Sequence, residues 1–221
     1  MSGVVITVDG PSGVGKGTLS ARLATHYGYH FLDSGALYRL VGYAAAQKNW
    51  LPESEALSAY ARQLPVVFKS GEIFLAGEQV TQAIRTESVA AWASKVAAVP
   101  AIREALLSFQ QDFAQAPGLI ADGRDMGTVI FPQATAKLFL DASAEVRADR
   151  RVKQLKNQGL DANIDQITRE IRERDDRDRN RSIAPLKAAA DALVIDTSTL
   201  SPDAVFSQAI EWIEQRVAHR A

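Results

Sequence analysis

The chain contains no cysteine among its 221 residues, which excludes disulfide bonds, thiolate nucleophiles and cysteine-based metal sites. Histidine is almost as scarce. His26, His30 and His219 show no spacing typical of metal ligands, so we interpret them as surface or boundary residues.

The chain also lacks an excess of positive charge. Lysine and arginine number 25 against 26 aspartates and glutamates, which gives a net charge of −1. A protein that holds nucleic acid through its backbone usually carries a basic excess. The balance therefore predicts no nucleic-acid partner, and it favours small anions that are bound locally.

Long apolar runs are missing as well. No stretch approaches the ~20 apolar residues of a membrane-spanning helix, so we expect no membrane association. The first residues, MSGVVITVDG, have no basic region and their apolar run ends at Asp9. We therefore expect no signal peptide and a cytoplasmic location.

Short apolar segments that read as strands alternate with segments of helical periodicity. This order predicts an α/β fold with a parallel sheet flanked by helices. Ser34 is the expected N-cap of the second helix, and Pro202 is expected to open the last one. The predicted strands are 4–8, 29–33, 118–123, 136–142 and 192–197, and the predicted helices are 18–28, 34–47, 144–158, 163–181 and 204–216.

The middle of the chain interrupts this alternation. Residues 65–80 read as short strands joined by glycine turns, and two helices are expected at 87–98 and 101–115, divided by Pro100. We predict a small insert of antiparallel strands and helices at about 60–95.

A glycine-rich loop, DGPSGVGKGT, lies between the first predicted strand and the first helix. Glycine lets backbone N–H groups curl around a phosphate, and the following helix adds the positive end of its dipole. Lys16 adds a full charge. The spelling G-x-x-x-x-G-K in this context predicts a nucleotide phosphate site.

Gly17 stands where such loops usually have serine or threonine, and the hydroxyl is displaced to Thr18. We therefore expect no direct protein ligand to a metal from this loop. Mg²⁺ is expected to arrive with the nucleotide and to keep most of its waters. The spelling GxGKGT is similar to that of nucleoside monophosphate kinases.

Three further segments are candidates for ligand binding. In the helix predicted at 163–181, Arg174, Asp178 and Arg181 lie on one face, at i, i+4 and i+7. Asp122, Arg124 and Asp125 follow a predicted strand, at the edge where open α/β sheets bind ligands. The DSG at 33–35, with Tyr38 and Arg39, follows another strand.

The chain closely resembles the bacterial cytidylate kinases between residue 9 and about residue 185. The stretches that carry this resemblance are DGPSGVGKGT, LDSGALYR, PGLIADGRDMGTV, KLFLDAS and ERDDRDRNR. GRDMGT together with RDDRDRNR is far more specific than the glycine loop alone.

The resemblance implies transfer of the ATP γ-phosphate to CMP or dCMP by a monomer, with Mg²⁺. It implies a P-loop NTPase-type core (1–59, 96–150 and 182–221), an insert at about 60–95 that binds the nucleoside monophosphate, and a short lid at about 151–165. Arg147, Arg150 and Arg151 begin the lid arm, and their roles remain open.

Site residues follow from the resemblance position by position. Lys16, Arg124 and Arg181 are the expected catalytic residues. The ATP phosphates are expected to bind Gly10, Pro11, Ser12, Gly13, Val14, Gly15, Lys16, Gly17 and Thr18. Ser34, Ser94, Arg103 and Asp125 are expected around the cytosine, Arg39, Arg124 and Arg181 at the acceptor phosphate, and Arg174 and Asp178 at the sugar.

Three other functions are weighed against this one. A related kinase could act on UMP, AMP or a small alcohol. A GTP-dependent switch would need the guanine-selecting N-K-x-D, which the sequence lacks, and a hydroxyl at Gly17. A nucleic-acid-binding protein is disfavoured by the balanced charge.

Overall fold

The computed structural model describes residues 3–69 and 71–218, so the prediction for His219 lies outside the described residues. The strands are β1 (Val4–Asp9), β2 (His30–Asp33), β3 (Val66–Lys69), β4 (Glu72–Leu75), β5 (Glu78–Gln79), β6 (Gly118–Gly123), β7 (Ala136–Asp141) and β8 (Leu193–Asp196). The helices are α1 (Lys16–Tyr27), α2 (Ser34–Lys48), α3 (Glu55–Arg62), α4 (Glu87–Val96), α5 (Pro100–Gln111), α6 (Ala144–Asn157), α7 (Ile164–Arg179) and α8 (Pro202–Ala218).

The chain divides into two compact units. The first comprises residues up to Leu32 and from Phe113 onward, and the second is Asp33–Asp112. The predicted insert at 60–95 lies within the second unit.

The first unit is built around a five-stranded sheet in the order β2-β6-β1-β7-β8. β1 pairs in parallel with β6 and with β7, and β7 pairs in parallel with β8. Ile6, Ile120 and Leu140 belong to one buried cluster that α1 and α8 also join through Leu23 and Ile213. The predicted parallel sheet with flanking helices is confirmed.

The strand register places two functional segments next to each other. Asp9 at the end of β1 pairs with Gly123 at the end of β6. The glycine loop that follows β1 and the RDMG segment that follows β6 therefore leave the sheet side by side, at its carboxyl edge.

The second unit holds a small three-stranded sheet in the order β3-β4-β5, with both pairs antiparallel. Helices α2, α3, α4 and α5 belong to the same unit. The antiparallel strands expected at 65–80 are confirmed for the described residues of that range, which exclude Ser70.

Three local features differ from the sequence predictions. The N-cap of α2 is Asp33, whose carboxylate accepts the backbone N–H of Ala36 at 3.0 Å, so the prediction of Ser34 was wrong. Helix α3 was not predicted. A π-helical turn at Met126–Ile130 was not predicted either.

No helix within residues 3–69 and 71–218 combines the length and the apolar content that crossing a bilayer requires.

Candidate active site

The glycine loop places a buried lysine at the start of α1. Gly15 forms the N-cap in a left-handed conformation, with φ of 97°, and Lys16 is the first helical residue. Lys16 is only 7% exposed, and its Nζ donates to the Pro11 carbonyl at 2.8 Å. The ammonium therefore lies across the loop, beside the N–H groups at the helix start that favour an anion.

Burial and, to a smaller extent, the positive charge of Arg124 lower the pKa of Lys16 to about 7, whereas Asp122 opposes the shift. A buried ammonium without an anion to neutralise it is unfavourable. The loop is therefore electrostatically prepared for a negatively charged ligand.

Gly17 faces the carboxylate of Asp122. A β carbon placed on Gly17 would lie 3.9 Å from Asp122 Oδ2, and Asp122 is itself buried at the end of β6. A carboxylate thus stands close to the position where related loops present a hydroxyl.

Asp9 holds the turn that follows β6. Its carboxylate accepts the backbone N–H groups of Met126 and Gly127, both at 2.8 Å. Burial raises the pKa of Asp9 to about 7, although these two hydrogen bonds oppose the shift. Asp9 thereby fixes the position of the backbone next to Asp125, a role that sequence reasoning missed.

Two arginines enclose Asp178 in an almost fully buried cluster. Asp178 is 2% exposed, Arg124 Nε donates to its Oδ2 at 3.1 Å, and Arg181 Nη2 donates to its Oδ1. Although burial opposes it, the charges of Arg124, Arg181 and Arg174 keep the pKa of Asp178 below its usual value. The structure therefore brings together residues that the sequence placed in two separate motifs.

Arg147 connects the loop to α7. It is 3% exposed, and it donates to the Ser12 carbonyl at 3.1 Å, to the Ala142 carbonyl at 3.0 Å and to Asp175. Of the three arginines whose roles the sequence left open, this one is part of the framework behind the loop.

Arg150 and Arg151, one residue apart, have different surroundings. Arg150 donates to the Thr197 hydroxyl at 3.1 Å, and that hydroxyl donates to the Val14 carbonyl at 3.1 Å. Arg151 bonds Gln154 on the exposed side of α6. Arg150 is thus tied to the loop through Thr197.

A cleft of about 270 Å³ opens beside the loop in the first unit. One wall of this cleft is formed by residues of α8 and of the segment before it. These residues carry no local motif, so the sequence did not identify them as part of a site. The lining of the cleft includes Gly13, Thr18, Arg22, Arg150, Thr197 and Pro202.

In the second unit, the predicted site residues are polar side chains on α2, α4 and α5 that are buried or half-buried. Ser34 Oγ donates to Gln110 Oε1 at 2.7 Å, and Arg39 Nη1 donates to the Ile84 carbonyl at 2.9 Å. Arg103 donates to the Ala97 carbonyl at 3.2 Å. The buried Ser94 Oγ has no hydrogen-bond partner among the described residues.

The nine residues expected to bind CMP are therefore divided between the two units. Ser34, Arg39, Ser94 and Arg103 belong to the second unit, and Arg124, Asp125, Arg174, Asp178 and Arg181 belong to the first.

Comparisons of the sequence with known proteins all lead to the same family. A family model described as cytidylate kinase matches residues 6–215. A cytidylate kinase of Mannheimia succiniciproducens is 56% identical over 219 residues and covers 97% of each chain. A cytidylate kinase of Acinetobacter baumannii is 53% identical over 220 residues and covers 96% of each chain.

Among solved structures, an uncharacterized protein from Eubacterium ventriosum shares the fold, with a TM-score of 0.53 at 12% identity. The match covers 96% of this chain and 98% of that chain.

Proposed function

The chain belongs to the cytidylate kinase family, and we propose on that basis that it transfers the γ-phosphoryl group of ATP to CMP or dCMP, which yields ADP and CDP or dCDP. The observation that carries the proposal is the buried Lys16 in the glycine loop, within the electrostatic influence of Arg124. We also propose that the enzyme acts as a cytoplasmic monomer in pyrimidine nucleotide metabolism.

On the donor side, the loop from Gly10 to Thr18 binds the ATP phosphates. Its backbone N–H groups and the Lys16 ammonium neutralise the charge on the transferring group, which is the main source of catalysis in phosphoryl transfer. The cleft beside the loop, lined by Arg150 and Thr197, accommodates the adenosine.

The residues around Gly17 fit a hydrated Mg²⁺ that is carried by ATP. Gly17 offers no hydroxyl, but the Asp122 carboxylate faces it and would hold the hydrated ion through hydrogen bonds from water. When bound, the ion would supply charge neutralisation to the phosphates of ATP.

On the acceptor side, Arg124 and Arg181 bind the phosphate of CMP, while Arg174 and Asp178 bind the sugar. Asp178 holds Arg124 and Arg181 in fixed orientations before the ligand arrives, because each is hydrogen-bonded to one of its oxygens. Side chains that are already oriented before the substrates bind accelerate the reaction, because less entropy is lost when the reactive geometry forms. Arg39 of the second unit also binds the acceptor phosphate.

The pyrimidine base is recognised by Ser34, Ser94, Arg103 and Asp125. Cytosine carries an amino donor at C4 where uracil carries a carbonyl acceptor. The Asp125 carboxylate accepts from the amino group and repels the carbonyl, and Arg103 donates to the ring acceptors. The buried Ser94 Oγ is free to hydrogen-bond the base, since no described residue binds it.

No general base is required for the transfer. The acceptor is a phosphate monoester whose second pKa is about 6, so it is already a dianion near neutral pH. The side chains position the two anions in line and neutralise their charge, and they exclude the water that would hydrolyse ATP.

The proposal is tested with purified protein, ATP and Mg²⁺ in a coupled assay of ADP release, across CMP, dCMP, UMP, AMP and GMP. We expect CMP and dCMP to be the preferred acceptors. Preference for another monophosphate would assign the chain to a different acceptor.

Replacing Asp125 with asparagine should lower the preference for CMP over UMP. An asparagine can present either its amide nitrogen or its oxygen to the base, whereas a carboxylate only accepts. We expect the CMP-to-UMP ratio of kcat/KM to fall by about tenfold or more, with the KM for ATP changed far less. An unchanged ratio would remove Asp125 from base recognition.

ATP binding should take up a proton at mildly alkaline pH. Lys16 has a pKa of about 7 without ligand, and the phosphates favour its charged form and raise that pKa. At about pH 8.5 we therefore expect an uptake approaching one proton per ATP, measured by calorimetry in buffers of different ionisation enthalpy. Lys16→Arg, whose guanidinium stays protonated, should show almost none, and equal uptake in both proteins would contradict the assignment.

A further inference from the structure

Gln110 on α5 is fully buried and makes two directional hydrogen bonds. Its Nε2 donates to the Leu106 carbonyl at 3.1 Å, and its Oε1 accepts from Ser34 Oγ at 2.7 Å. Both partners belong to the same unit of the chain. Gln110 was not identified as a functional residue from the sequence.

The chemistry of the partners fixes the orientation of the Gln110 amide. A backbone carbonyl only accepts hydrogen bonds, so the nitrogen of the amide has to face Leu106. The amide oxygen then faces Ser34. The reversed amide would put its oxygen against the Leu106 carbonyl oxygen in a buried place, where the amide oxygen would have no donor.

This orientation determines the role that is left to Ser34. A serine hydroxyl has a single proton and two acceptor lone pairs. Because the proton is given to Gln110 Oε1, only acceptor capacity remains for a second partner. Ser34 itself is buried, at the first turn of α2.

We propose that Gln110 is a positioning residue that determines base specificity, by holding the Ser34 hydroxyl as a pure hydrogen-bond acceptor. An acceptor at this position favours the 4-amino group of cytosine over the 4-carbonyl of uracil. The inference deepens the proposed function and rests on the assignment of Ser34 to the base. Gln110 acts through Ser34 and does not contact the nucleotide.

A purely structural role for Gln110 leads to a different expectation. If Gln110 only satisfied buried polar groups, its replacement would lower stability and would lower activity toward CMP and UMP alike. A role in fixing the Ser34 proton changes the ratio between the two substrates. The CMP-to-UMP ratio of kcat/KM therefore separates the two roles.

The test compares Gln110→Met with Gln110→Glu. Methionine leaves the Ser34 proton without a strong acceptor, so the hydroxyl is able to turn and donate to uracil, and we expect the ratio to fall by about tenfold. Glutamate still accepts from Ser34, so we expect the ratio to stay within about threefold of wild type, whatever the loss of thermal stability. Gln110→Leu replaces the methionine variant if that protein does not fold.

Ser34→Ala is the matched control. It should lower the ratio by itself, and adding Gln110→Met to it should cause no further change, because the two residues act as one unit. If Ser34→Ala lowers the ratio and Gln110→Met does not, the inference on Gln110 is overturned while the proposed function stands. If neither variant changes the ratio, the placement of Ser34 at the base is wrong as well. Wild-type protein without CMP kinase activity would instead refute the proposed function.

Discussion

Lys16→Ala is expected to lower kcat for ATP-dependent CMP phosphorylation by about a thousandfold, with the fold intact. Lys16 Nζ lies across the glycine loop, at 2.8 Å from the Pro11 carbonyl, and it is the lysine of that loop. In the proposed reaction, the Lys16 charge stabilises the transition state more than the bound substrates, because negative charge then moves toward the leaving phosphate. The effect should appear mainly in kcat, and steady-state kinetics at saturating CMP measures it.

Lys137 offers a matched control for this experiment. It is another buried lysine, and its Nζ donates to the carbonyl of a proline five residues earlier, Pro132, also at 2.8 Å. Its other partner, Asp191, is largely exposed, so solvent satisfies that carboxylate when the lysine is removed. Lys137→Ala should cost stability in a thermal unfolding experiment but should leave kcat within about tenfold. A Lys16→Ala protein that is as active as Lys137→Ala would refute the phosphate-loop assignment.

The sheet was predictable because its central strands, β6, β1 and β7, are largely buried on both faces. Such strands read as short continuous apolar runs, and VVITV and LIA show this pattern clearly. The alternation with helices then favours a parallel arrangement. Two helix boundaries were also predicted correctly. Gly28 ends α1 and Pro202 begins α8, and both residue types favour these positions through their local backbone chemistry.

The N-cap of α2 shows where local reading fails. Asp33 and Ser34 are adjacent, and both are good N-cap residues. Asp33 prevails because it ends β2 in an extended conformation with its carboxylate on the Ala36 N–H, while the Ser34 hydroxyl is used by Gln110, 76 residues away. The choice between neighbours thus depends on a tertiary contact.

Helix α3 was missed although its signals were present. Ser54 caps it by accepting the Leu57 N–H at 3.3 Å, and Leu57 and Ala61, four residues apart, form its buried face. The π-helical turn at Met126–Ile130 is different, because it depends on hydrogen bonds from its first two N–H groups to Asp9, more than a hundred residues away. No local pattern predicts such a contact.

The candidate site also combines features that local sequence predicts with contacts that it does not predict. The glycine loop and the helical phase of Arg174, Asp178 and Arg181 can be read from the sequence, since both are local. The pairing of Arg124 with Asp178 joins residues 54 positions apart, and the contact of Arg147 with the Ser12 carbonyl joins residues 135 apart. Local motifs therefore supply the functional groups, and the long-range contacts that orient them come only from the fold.

Gly10→Ala is expected to be the most destabilising substitution in the loop, with a loss of about 4 kcal/mol or more in the free energy of unfolding. Gly10 has φ of 147°, and a β carbon there would lie 2.2 Å from the Leu140 carbonyl oxygen. That oxygen belongs to β7, an internal strand of the sheet, so it cannot move aside without disturbing strand pairing. At Gly10, the backbone strain of a positive φ and the steric overlap with the Leu140 oxygen therefore add together.

Gly15→Ala separates these two contributions. Gly15 also has a positive φ, 97°, but a β carbon there would meet nothing within 4 Å. Only the backbone strain remains, and it should lower the free energy of unfolding by about 1–2 kcal/mol. Urea unfolding of the two variants without nucleotide measures both losses independently of catalysis. Equal losses would mean that the sheet yields at Leu140, so that backbone strain alone, without a close approach of β7, would account for glycine at the first position of the loop.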